Sequence, residues 1–151
     1  MQQITPTILS EVIEKVLNRI EERLLNSHEK QLTTQEYIEL NVLFQEEVLA
    51  KAFHIIDTQT IVSYRQENTT NELIEFAGSW PSQTVYKLFP FINFCHCTFF
   101  KDEILKAPEP AYYTCEHVIA ARLARILNKL KIEILPKHKF NFIQKQIAPQ
   151  D

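Results

Sequence analysis

All three cysteines of this chain fall within one short stretch, FCHCTFFKDEILKAPEPAYYTCEH from Phe94 to His117, and a histidine follows the last of them. Written as donors, the stretch is Cys95-x-Cys97, seventeen residues, then Cys115-x-His117. Three thiolates and one imidazole make a closed four-ligand set, the kind that a structural zinc ion takes in tetrahedral geometry. Residues i and i+2 of an extended segment point to the same side. Cys95 and Cys97 can therefore face one ion while His96 points away, and Cys115 and His117 repeat that arrangement. Three cysteines cannot all pair within one chain, which argues against a disulfide framework. The competing reading is three unrelated thiols, each buried as a small apolar residue. Common zinc modules also space their first two ligands more widely than C-x-C.

The elements around this stretch must position it. In front lies VYKLFPFINF (Val85–Phe94), strand-like, with Pro90 expected to force a bulge or break. Behind lies a helix from about Glu116 to Leu130, with Ile119, Leu123, Ile126, Leu127 and Leu130 on one stripe. Arg122, Arg125 and Lys129 share another face of that helix. They are either a solvated row or possible contacts for phosphate or an acidic partner. Within the spacer, Phe99, Phe100, Ile104 and Leu105 predict one or two helical turns, and its aromatics read as packing that excludes water from the site. Amides at the start of the helix after Cys115 are expected to donate to the thiolates.

Earlier in the chain, Thr5 to about Leu25 reads as an amphipathic helix with Ile8, Val12, Ile13, Val16, Leu17, Ile20 and Leu24 on its apolar stripe. That stripe faces a core, or docks in part on a partner. After a polar linker, Thr33-x-x-Glu36 matches a capping box and opens a second helix running toward Phe53, so the front of the chain predicts an αα-hairpin. Thr60–Tyr64 and Glu72–Phe76 read as strands, the second closed by Gly78 and Trp80-Pro81. Lys139–Ile147 predicts a short last helix.

Composition narrows the function classes. At 151 residues and 45% hydrophobic content, the chain reads as one compact globular unit. A single glycine, Gly78, cannot build a phosphate-cradling loop, which excludes nucleotide binding by the familiar glycine-rich motifs. Charge is uneven: −5 over residues 1–50, −2 over 51–113 and +4 over 114–151. An acidic front argues against nucleic-acid binding over the whole surface and leaves room for a local basic face. His28, His54, His96 and His138 show no spacing to a nucleophile, so the chain reads as non-enzymatic, although His96 could substitute as a ligand for His117. Apolar runs are too short to span a bilayer, no secretory signal is evident, and reduced intracellular thiols are the default.

The C-x-C, spacer, C-x-H pattern resembles the SWIM zinc finger, fitted by Cys95, Cys97, Cys115 and His117. EYIELNVLF, AFHIIDTQTIVSY with Asp57 and Ile61, and YTCEHVIAARLA further resemble the small SWIM-domain (Sws-type) subunits of Shu complexes, over roughly residues 37–130. The resemblance implies one structural Zn2+ and pairing with a RecA-fold recombinase paralogue. It also implies a nuclear role promoting recombinase filaments on single-stranded DNA in homologous recombination repair, with DNA reached through the complex. Direct nucleic-acid binding through the basic helix face is the alternative. Two features depart from the family: Glu116 stands where a basic residue is common, and the spacer carries Pro108 and Pro110.

The fold expected is α+β: an N-terminal helical hairpin, a small antiparallel sheet, and a SWIM-type ββα zinc module with a long C-terminal helix. Its boundaries are 1–56 for the helical region, 57–135 for sheet plus finger (the finger at about 85–130), and 136–151 for the tail.

Overall fold

The computed structural model describes residues 6–77 and 85–147. Thr5, Gly78 and Trp80-Pro81, used above as helix start and strand stop, lie outside them. The chain is α+β, with α1 (Pro6–Leu25), α2 (Thr34–Phe44), α3 (Glu46–Thr58), β1 (Ile61–Gln66), β2 (Glu72–Phe76) and β3 (Tyr86–Leu88). A π-helical turn (Phe100–Leu105), α4 (Glu116–Ile126), β4 (Lys131–Leu135) and α5 (Lys137–Lys145) follow.

Helix α1 buries Ile13, Leu17, Ile20 and Leu24, the inner part of its stripe, and leaves Val12 exposed. The capping box forms as its sequence dictates: Glu36 N–H donates to Thr33 Oγ1 at 3.1 Å, and Thr33 N–H donates to Glu36 Oε2 at 2.9 Å. Arg23 of α1 also donates to Glu36, which ties the hairpin shut.

The expected single second helix is instead two. Gln45 ends α2 and begins α3 with φ 71° and ψ 141°, a backbone region costly for any residue with a Cβ. The break lets both halves bury their apolar sides: Leu40 and Phe44 from α2, then Val48, Leu49, Ala52, Ile55 and Ile56 from α3. No glycine or proline announces this break.

The sheet runs β3-β2-β1-β4. Strands β1, β2 and β3 pair antiparallel, but β4 lies parallel to β1, so the sheet is mixed and not wholly antiparallel. Three cross-strand rows face α4: Ile61–Phe76–Tyr86, then Ser63–Ile74–Leu88 with Ile132, then Arg65–Glu72 with Ile134. Val62 and Leu73 are buried on the opposite face. Phe140 of α5 is also buried, and α5 packs against β1.

The helix expected to reach Leu130 ends earlier, and strand β4 follows it. Helix α4 stops at Ile126, and Asn128 takes the left-handed conformation at φ 58°. Lys129 N–H then reaches Ala124 O at 2.7 Å, the six-to-one bond of a Schellman cap. The strand expected over Val85–Phe94 is only Tyr86–Leu88. Pro90, which has no N–H for a ladder, turns the chain away there. One continuous core runs from Ile13 of α1 through Phe76 and Leu123 to the three cysteines.

Candidate metal centre

The four residues picked out by spacing converge. Ligand atoms of Cys95, Cys97, Cys115 and His117 all lie within 4.8 Å of one another, and all four residues are buried. Zinc–sulfur bonds of about 2.3 Å set tetrahedral ligands roughly 3.8 Å apart, so closing the set onto an ion needs less than about 1 Å of contraction. No disulfide links the cysteines.

The two ligand pairs are delivered by different local devices. Cys95 lies in the irregular segment after the turn at Pro90, Cys97 opens the helical turn that follows, with its carbonyl accepting from Lys101 N–H at 3.1 Å, and His96 between them is exposed. Cys115 is the N-cap residue of α4 at φ −93° and ψ 169°, and His117 lies in the first turn of that helix. The ring of His117 is walled by Tyr86 at 4.3 Å and by Phe76, edge-on, at 5.5 Å. Sheet row and ligand are thereby registered.

Three thiols this close cannot all ionise without a cation. Hydrogen bonds from the Cys115 and Cys95 thiols hold the Cys97 thiol far below its ordinary range, as a thiolate. The same pairing pushes Cys115 far up. For Cys95, the Cys115 hydrogen bond pulls down, but Cys97 and burial outweigh it and push the thiol up to about 12. A divalent cation removes this conflict, because a coordinating thiol is deprotonated outright. His117 Nδ1 is buried with no partner among the described residues, so the ring has unused capacity that coordination would employ. The donor set fits a closed zinc site and leaves no open position for water.

Thiolate charge also meets a backbone donor. Phe100 N–H donates to Cys97 Sγ at 3.4 Å from the start of the π-helical turn. The amide contact thus comes from the spacer, and not from α4 as its sequence suggested. Phe100 itself is buried, edge-on to Phe94, and Phe99 packs edge-on to Tyr112.

The basic row has a different setting. Arg122 forks onto Glu14 of α1 at 2.6 and 2.9 Å, and Arg125 donates to Glu72 of β2. Lys129 lies beyond the end of α4, 3.8 Å from Asp57. Each cation therefore faces a carboxylate from another element, which sequence spacing could not reveal.

Residues 91–94, expected as the end of a strand, leave the sheet instead, with Phe91 63% and Ile92 56% exposed. Phe91 stands at φ 65° with the guanidinium groups of Arg122 and Arg125 each 4.9 Å from its ring centre. Pro90 was the signal that the chain leaves the sheet here. No protein-family model, curated protein or solved structure matches the chain.

Proposed function

We propose that this chain is a non-enzymatic, zinc-stapled interaction subunit of SWIM type, whose partner is a RecA-fold recombinase paralogue. The observation that carries the reading is the buried Cys95, Cys97, Cys115 and His117 cluster, with an exposed apolar loop built directly onto its first ligand. The antiparallel pair β2–β3 precedes the first ligand pair and α4 carries the second, which are the elements a ββα module needs. When bound, zinc would supply four bonds joining the loop after β3 to the start of α4, and no site for substrate.

Small modules lack the apolar area to hold such loops by burial alone. The staple leaves Phe91, Ile92 and Phe94 presented to solvent as an apolar patch, the composition of an interface centre. A cavity of about 280 Å3 lies beside Phe91 and Ile92, lined among others by Ile13, Phe44, Val118 and Arg122. It gives a partner's side chain a place to anchor. The task in view is assembly of recombinase filaments on single-stranded DNA during homologous recombination, in the nucleus, with the nucleotide site on the partner.

Co-expression with a RecA-fold paralogue tests this. Copurification that survives salt but is lost in Phe91→Asp/Ile92→Asp, with metal content unchanged, is expected. A stable monomer that retains no such partner would sink the proposal.

A further inference from the structure

Among the described residues, strand β4 is an edge strand with one neighbour, β1. Glu67 N–H donates to Leu135 O at 2.9 Å, so Leu135, and with it Glu133 and Lys131, turn their backbone groups toward β1. By alternation, the N–H and C=O groups of Ile132 and Ile134 point outward, away from the sheet. Their side chains are 49% and 68% exposed on the face of the sheet that looks toward α4. Lys131 and Glu133 occupy the other face, 3.3 Å apart. The segment Lys129–Leu135, KLKIEIL, contains no proline or glycine to blunt the edge.

We infer that two copies of this chain associate through β4, antiparallel about a two-fold axis at Ile132. Parity and charge together select this register. Only outward-facing residues can exchange ladder bonds, so the centre must pair Ile132 with Ile132, Ile132 with Ile134, or Ile134 with Ile134. The second choice sets Glu133 directly opposite its own copy, and like charges opposed across strands are destabilising. The third runs Pro136 into the ladder, where it has no N–H to give. The first places Lys131 opposite Glu133 twice, and Leu130 opposite Ile134 twice, with the two Ile132 side chains meeting at the axis. One face of the joint ladder is then apolar and the other charge-paired. Such a short ladder buries little area and belongs to the weak class of association.

Sedimentation of the full zinc-loaded chain across about 1 μM to 1 mM tests it. The expected result is a weight-average mass that rises from 17.8 kDa toward its double. Glu133→Lys, which sets cations opposite each other at both ends, should weaken the dimer about tenfold. The double variant Lys131→Glu/Glu133→Lys keeps the net charge and should restore it. A mass fixed at 17.8 kDa throughout overturns the inference. So does a dimer indifferent to Glu133→Lys, or one lost there and not regained by the exchange. Both residues are exposed enough for the variants to fold, which unchanged zinc content and circular dichroism would verify.

Discussion

Arg125 on α4 donates to Glu72 on β2, and Glu72 in turn accepts from Ser63 on β1. Helix and sheet are locked by one carboxylate on β2, an inner strand of the sheet. Removing the cation takes a charge-assisted bond from a largely buried carboxylate that still accepts from Ser63, which costs about 1–3 kcal/mol. Arg125→Ala should therefore lower stability by that amount in denaturant titrations. Arg122→Ala should cost less, about 0–1 kcal/mol, because its partner Glu14 is substantially exposed.

Acid should act through the same carboxylates. The Arg23 hydrogen bond holds Glu36 below the usual carboxylate range. Burial pushes Glu72 up, but hydrogen bonds from Ser63 and Arg125 outweigh it and hold it down. A group depressed in the folded state binds its proton more readily when unfolded. Its stabilisation is complete above the unfolded value of about 4.3 and is lost as pH falls through the folded value. Melting temperature should thus fall on acidification below about pH 4.5, and Glu36→Gln/Glu72→Gln should flatten that fall. An equally steep fall in the double variant would assign acid unfolding elsewhere, to the thiolates above all.

Gln45 offers a test of the helix break. Its φ of 71° is relieved by glycine, while glycine gives the unfolded chain extra entropy, which opposes folding, and loses the Gln45 side-chain bond to Ala111 O. Gln45→Gly should be neutral to about 1 kcal/mol stabilising, whereas Gln45→Val should destabilise by about 1–3 kcal/mol. Both are read from thermal melts.

The capping box gives a magnitude from one residue. Thr33→Ala removes the acceptor for Glu36 N–H and should cost about 0.5–2 kcal/mol. Thr33→Ser should recover most of it in the same denaturant titration.

Much of this was written in residue spacing. Thr33-x-x-Glu36 announces its cap, the strand Glu72–Phe76 falls where alternation puts it, and C-x-C with C-x-H names the four residues that meet. What spacing could not carry was tertiary. The break at Gln45 has no local breaker to mark it, and the apolar spacing of Leu40, Phe44, Val48 and Ala52 runs straight across it. Asn128 is a legible stop, yet an apolar residue every third or fourth position ran through it and hid β4. The carboxylates facing Arg122 and Arg125 come from positions 108 and 53 residues away, a separation no helical wheel displays. The exposure of Phe91 follows from a turn at Pro90 whose direction depends on α4 beneath it.

The centre of the whole arrangement is the four-ligand cluster, and metal content of folded protein tests it most directly. Elemental analysis should find about one zinc per chain, lost together with cooperative melting in Cys97→Ser or Cys115→Ser. Cobalt substitution should give the visible bands of a tetrahedral thiolate site. Less than about half an equivalent of any metal in a sample that melts cooperatively would contradict the staple.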